Sequence, residues 1–378
     1  MNIGLYIHIP FCQQKCMYCD FPSYTGLSHL YSDYTAALCR EISGWGGILS
    51  DMQVDTLYIG GGTPTLLPTV QLERILQCVR DNFSLAENGE YSIEANPGTV
   101  DEEKLVRLRR CGLNRLSFGV QSFSDELLKG LGRIHSPEDA VQALTMGKKA
   151  GFKNLSLDLM YGLPNQSLEQ LKESVDRACQ LEVEHISIYG LKVEEGTPFF
   201  SRQQDGHLML PEEETEEAMY DFITRDLPAR GFFRYEISNY AKNGKACLHN
   251  LKYWQFQPYI GIGAAAHSFW QEERFANTAD VSQYIERVFD KRSPVEFREK
   301  LEARSAKAEF AFLALRTAQG ICLEAFQEIF KEDFMDCYGA TIAELIRKQL
   351  VVSEDKRIFL TPLGMKYGNI VFSAFLPD

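Results

Sequence analysis

The chain has 378 residues, with 39 Lys and Arg against 52 Asp and Glu, a net charge of −13, and 45% hydrophobic side chains. That apolar content supplies packed cores and excludes a disordered or coiled-coil chain, and the length suggests two or three domains. The acidic balance argues against a nucleic-acid partner held through phosphates, no run approaches the ~20 apolar residues of a membrane span, and Met1-Asn2-Ile3-Gly4 lacks the basic start of a secretory signal, so a cytoplasmic globular protein is expected.

Six strand-like apolar runs occur at 3–9, 54–59, 91–95, 114–118, 155–160 and 186–189, with amphipathic helical patterns between them. One of those helices opens on Ser136-Pro137-Glu138-Asp139, a capping serine, a proline at the first helical position and acids in the first turn. Alternating strands and helices make parallel βα units, and six of them fit an open partial barrel or a doubly wound sheet. Residues 211–226 read as a helix whose glutamates crowd its positive end. From 231 to 270 the pattern is irregular and aromatic-rich. Helical segments near 300–317, 323–330 and 335–348 then precede a hairpin at 350–360, a winged-helix-like order. The expected domains are 1–210, a connecting segment 211–295, and 296–378.

Seven of the ten cysteines are scattered singly, and several of these, among apolar neighbours in helix-like segments, read as buried inert thiols. The other three form Cys12-x3-Cys16-x2-Cys19, directly after the first strand. Three thiolates can hold a four-iron cluster and leave one iron open, as a catalytic zinc keeps one position open. Spacing alone leaves two other readings: a zinc site completed by His8, or reactive thiols. Gly60-Gly61-Gly62-Thr63-Pro64-Thr65 ends the second strand. Its glycines allow close backbone approach and are expected to leave N–H groups free for an amino-acid moiety. Glu94 and Asp158 are carboxylates inside apolar strands, and Gln121 follows the fourth. Buried charges need partners. One account pairs these acids with Arg115 or Arg133, and the other has them ring a single pocket.

The cysteine spacing, with Tyr18 before the third Cys, resembles the radical S-adenosylmethionine (SAM) superfamily. Tyr6-Ile7-His8-Ile9-Pro10-Phe11-Cys12, the glycine turn, 119–123 and Asp158-Leu159-Met160-Tyr161-Gly162-Leu163-Pro164 narrow the likeness to the oxygen-independent coproporphyrinogen III dehydrogenase-like family, over nearly the whole chain. The resemblance implies a partial (β/α)6 barrel with a winged-helix-like C-terminal domain. It implies a [4Fe-4S] cluster on Cys12, Cys16 and Cys19, whose open iron takes the amino and carboxylate groups of SAM. It also implies SAM contacts from Tyr6, Tyr18, Gly61, Gly62, Thr63, Glu94, Gln121, Arg133, Asp158 and Gly190. In that family a reduced cluster donates the electron that cleaves SAM.

Two departures separate the chain from the dehydrogenases. The family's fourth cysteine is replaced by Phe21, and only eleven residues precede Cys12. Both match the heme-chaperone branch of the family. His249-Asn250-Leu251-Lys252-Tyr253-Trp254 fits that branch's H-N-x-x-Y-W motif, which the resemblance associates with heme; imidazole is a common axial ligand and the aromatics could pack on a porphyrin. The competing account is a histidine that hydrogen-bonds a loop. His267 is a second candidate. The implied function is a heme chaperone with heme, acceptor proteins such as respiratory enzymes and an electron donor as partners, no nucleic acid, and membrane association only through partners. The alternative is radical decarboxylation of coproporphyrinogen III propionates.

Overall fold

The structure, a computed structural model, describes residues 2–376. Six strands form its parallel centre: β1 (Asn2–Ile9), β2 (Gln53–Gly61), β3 (Ser84–Ala95), β4 (Arg115–Gln121), β5 (Leu155–Tyr161) and β6 (His185–Gly190). They pair in sequence order, each parallel to the next, with helices between them. This is an open partial barrel, one of the two arrangements the six apolar runs fit and the one the resemblance implied.

Side chains alternate across a strand, and here the alternation sorts them by polarity. Ile3, Leu5, Ile7 and Ile9, then Leu57 and Ile59, Leu116 and Phe118, and Leu155, Leu157 and Leu159 share one core with Leu38, Ile42, Ile75 and Leu144 of the covering helices. The intervening positions face the lumen: Tyr6 and His8, Tyr58, Glu90 and Glu94, Arg115 and Ser117, Ser156 and Asp158, His185 and Ser187. The helices begin where their caps place them. Ser136 accepts from the Asp139 N–H and Asp139 accepts from the Ser136 N–H, the reciprocal box its sequence announced, and Ser167 repeats the arrangement with Gln170.

Two regions differ from expectation. β3 starts seven residues early, at Ser84, because its polar, glycine-containing beginning pairs with Gln53 and Val54 of β2 despite having no apolar period of its own. The aromatic segment is not irregular. β7 (Phe233–Arg234) and β8 (Asn239–Ala241) extend the sheet beyond β6, while β9 (Tyr259–Ile262), β10 (His267–Trp270), β11 (Glu273–Asn277) and β12 (Val295–Lys300) extend it beyond β1. β9 lies parallel to β1 and the rest of these added strands are antiparallel to their neighbours.

A second core, built from Phe310, Phe326, Phe334, Ile342 and Ile358 among others, lies in the C-terminal part. There helices Ala303–Leu315, Leu323–Phe330 and Phe334–Arg347 accompany a small antiparallel sheet of β13 (Ile321–Cys322), β14 (Val351–Glu354) and β15 (Arg357–Leu360), a winged-helix-like arrangement. No helix among the described residues is long and apolar enough to cross a membrane.

The N-terminal end of the lumen is closed by charge pairing. Glu90 lies 3.9 Å from Arg115, both almost fully buried, and accepts from the Leu248 and His249 N–H groups at the start of helix Leu248–Trp254. Glu90→Ala would strand a buried guanidinium and uncap that helix. We expect a loss of about 3–5 kcal/mol, read from denaturant unfolding; a change within experimental error would show that Glu90 is not its counter-charge.

Candidate functional site

The three cysteines sit on the loop after β1, which has little regular structure and is held by its neighbours. Cys12 N–H donates to the Tyr24 carbonyl at 2.9 Å and Tyr24 N–H to Pro10 at 2.8 Å, closing the loop on itself. Gly62 N–H donates to Ile9 and Thr63 N–H to Phe11, at 2.9 and 2.8 Å. His8 Nε2 donates to the Pro22 carbonyl at 2.9 Å while its Nδ1 accepts from Tyr6. Burial lowers the His8 pKa to about 4, so the ring is neutral and serves the loop as a structural tie.

These contacts correct one expectation. The N–H groups of the glycine turn are not free for a ligand: Gly61 donates to Glu94 Oε2 at 3.2 Å, and the next two hold the cysteine loop. Close approach is nevertheless real. A Cβ on Gly62 would lie 2.6 Å from the Phe11 carbonyl oxygen and 3.0 Å from Cys12 Sγ, and Gly61 has φ +115° against the His8 ring. The glycines clamp the loop.

All three thiols are half-buried. Arg133 points Nη1 at Cys16 Sγ, 3.5 Å away, and Thr63 Oγ1 is 3.8 Å from Cys12 Sγ. Burial pushes the Cys19 thiol upward. Tyr18 lies beside Cys16 and Arg133, its hydroxyl raised first by burial and then by Cys16. Among the described residues no three His, Cys, Asp or Glu side chains gather closely enough for a single metal ion. A four-iron cluster asks for something else, one thiolate per iron, which three spaced thiols on one loop can provide.

The two strand carboxylates face the same end of the lumen. Glu94 accepts from Tyr58 Oη at 2.7 Å, and Asp158 accepts from Ser117 Oγ at 3.4 Å. Neither forms a salt bridge with Arg115 or Arg133, contrary to the pairing account. Arg115 faces Glu90, and Arg133 donates to Asn96 Oδ1 at 2.7 Å and to the Gly119 carbonyl. Burial raises the Glu94 pKa to about 7, with the Asp158 charge adding to it, and burial raises Asp158 too. Gln121 has φ +69° just past an irregularity in the β4–β5 register, so its side chain leaves the strand at an angle few residues adopt. Gly190 is exposed at the end of β6, where a Cβ would meet the Tyr161 ring at 3.0 Å.

Asn96 was missed. It donates to Thr63 Oγ1 at 2.8 Å and accepts from Arg133, tying the glycine turn to that arginine. Its place two residues after Glu94, on the same face, was the available signal.

His249 lies toward the N-terminal end of the lumen, stacked on Tyr58 at 5.4 Å and on Tyr6 at 6.4 Å. It is 0% exposed, with Nδ1 bonded to Thr56 Oγ1 at 2.9 Å and Nε2 to Tyr253 Oη at 2.8 Å. Burial lowers its pKa to about 3. Both nitrogens are bonded to hydroxyls, so the side chain ties helix Leu248–Trp254 to β2. Tyr253 packs edge-on to Tyr259, and Trp254 lies under the Arg316 guanidinium. His267, in contrast, is exposed at the start of β10.

An open parallel barrel with a three-cysteine loop after its first strand defines a radical SAM fold. The profile of the radical SAM superfamily matches residues 6–178, and that of the HemN C-terminal domain matches 289–367. The heme chaperone HemW of Bacillus subtilis is 37% identical over 99% of both chains. HemW of Escherichia coli is 43% identical over 70% of this chain and 69% of its own. Coproporphyrinogen III oxidase (HemN) of Escherichia coli, a radical SAM enzyme, superposes with TM-score 0.87 at 23% identity, covering 99% of this chain and 90% of that one; that likeness speaks to fold. The chain belongs to the HemW family of heme chaperones.

The raised Glu94 pKa has a consequence for the protein without ligands. The folded state holds this proton more tightly than the unfolded one, so stability is lost as pH rises from about 4.5 to about 7. Glu94→Gln should remove that loss, gaining about 3 kcal/mol on the wild type between pH 4.5 and pH 8 in denaturant unfolding. Parallel pH profiles would place the Glu94 pKa near the ordinary value.

Proposed function

We propose that this chain is a heme chaperone that carries a four-iron cluster and SAM at the C-terminal end of its barrel and delivers heme to acceptor proteins such as respiratory enzymes. The observation carrying the proposal is similarity along the whole chain to proteins named heme chaperones. Cys12, Cys16 and Cys19 would each hold one iron, leaving the fourth for SAM. The reduced cluster would supply SAM with an electron, received from a donor protein.

The lumen suits such a ligand. Glu94 and Asp158 are buried carboxylates whose partners are neutral hydroxyls and a backbone N–H, so a cation is what they lack. SAM brings an ammonium and a sulfonium. Arg133, beside Cys16, would face its carboxylate; Gln121 and Gly190 lie on the rim, with Tyr6 and Tyr18 as apolar walls. Gly61, Gly62 and Thr63 would act mainly by holding the cysteine loop, leaving their carbonyls for the ligand's amino group. Phe21, where the dehydrogenases have a fourth cysteine, is 62% exposed on this loop, which favours the chaperone over porphyrinogen decarboxylation.

Anaerobic hemin titration followed by the Soret band should show saturable binding near one heme per chain. Mixing the loaded protein with an apo b-type heme protein should move the heme to it. Absence of saturable binding, or turnover of coproporphyrinogen III to a divinyl product, would contradict the proposal.

A further inference from the structure

A large cleft lies between the barrel's added strands and the C-terminal domain, away from the cysteine loop. Its volume is about 820 Å³, within the ~300–1,000 Å³ of sites that bury cofactor-sized ligands. Phe256, Phe269, Trp270 and Phe310 line it, with Ile329 and Arg357 farther along its wall.

Resting on the heme-chaperone reading, we propose that this cleft, and not His249, is where the chain holds heme. The wall chemistry matches the molecule. Heme is a flat apolar macrocycle carrying two carboxylates at one edge, and it needs aromatic walls with a cation at the rim. Phe256 lies tilted at 4.6 Å from Phe269 and edge-on at 6.2 Å from Phe310, and it is the half-buried ring of the three, Phe269 and Phe310 being 6% and 4% exposed. It holds φ +55°, an uncommon backbone state for a bulky side chain, and so turns its ring into this aromatic group. Arg357 donates to the Gln319 carbonyl at 3.1 Å and forms no salt bridge within 4 Å among the described residues, so its charge is available to a propionate. Glu272 is a carboxylate on the same lining, with Gln271 beside it. Cys322 and Met52 add sulfur atoms; no imidazole is among the lining residues.

The geometry also gives the H-N-x-x-Y-W helix a part in heme binding that needs no ligation. Helix Leu248–Trp254 ends directly before Gln255, Phe256, Gln257 and Pro258, which form one wall. His249 anchors the helix to Thr56 and to Tyr253, and Tyr253 packs on Tyr259 at 4.5 Å. His249 is thus a positioning residue for the cleft.

The test is hemin titration of wild type, Ile329→Asp and Arg357→Glu, with His249→Asn alongside. Ile329 is 48% exposed and Arg357 lies on a hairpin, so neither substitution disturbs a core; circular dichroism and thermal melts check the fold. Each should weaken hemin binding about tenfold or more. Hemin dimethyl ester, without propionate charge, should bind wild type and Arg357→Glu alike. His249→Asn should leave the Soret position of bound heme unchanged. Unaltered affinity in both cleft variants overturns this site while leaving heme binding intact. A displaced Soret band in folded His249→Asn would put the iron on that imidazole and also overturn it. Failure of wild type to bind hemin removes the heme-chaperone reading itself, and this site with it.

Discussion

The barrel depends on one constraint: adjacent residues of each parallel strand face opposite sides, apolar toward the helices and polar toward the lumen. A lumen filled with polar groups must satisfy them, and this barrel does so differently at its two ends. At the N-terminal end Glu90 faces Arg115, Ser156 bonds His185, and Thr56 bonds His249. There charge meets charge and the space is closed. Toward the C-terminal end Glu94 and Asp158 meet only neutral donors. The asymmetry defines where a cationic ligand is wanted, and it is the end at which barrels of this kind place their chemistry.

The cysteine loop is the complement of that arrangement. It has little secondary structure of its own, so its shape comes from the strand ends around it: the glycine turn, the His8 ring and the segment at Leu131–Gly132. Glycines 61 and 62 serve by having no side chain, since any Cβ there would displace the His8 ring or the Phe11 carbonyl. Asn96 and Arg133 then connect the turn to Cys16. Loop, turn and lumen form one unit in which the thiols and the unpaired carboxylates lie at the same barrel end.

Much of this was legible in the sequence, for identifiable reasons. Strands buried on both faces or alternating strictly, such as β1 and β5, announce themselves, and so does a helix opened by Ser136-Pro137-Glu138-Asp139. The start of β3 was hidden because Glu87-Asn88-Gly89 resembles a turn and joins the sheet only through β2. The strands after 231 were hidden because they are two to six residues long, and the two that join them to the barrel, β8 beside β6 and β9 beside β1, meet partners far away in sequence. The contacts of single groups were the least visible. Three glycines announce close approach but do not say whether their N–H groups serve a ligand or a loop. A histidine in a motif does not reveal that both its nitrogens are already bonded. Long-range partners decided both matters: Ile9 and Phe11 for the turn, Thr56 for His249.

Electron paramagnetic resonance of the anaerobically reconstituted, reduced protein with and without SAM, with Cys16→Ala as the control, reads whether the first loop carries a SAM-binding cluster. The wild type should show a four-iron signal that SAM alters, and the control should lose iron and sulfide. A full complement of iron and sulfide in Cys16→Ala, or a wild-type signal indifferent to SAM, would contradict the account.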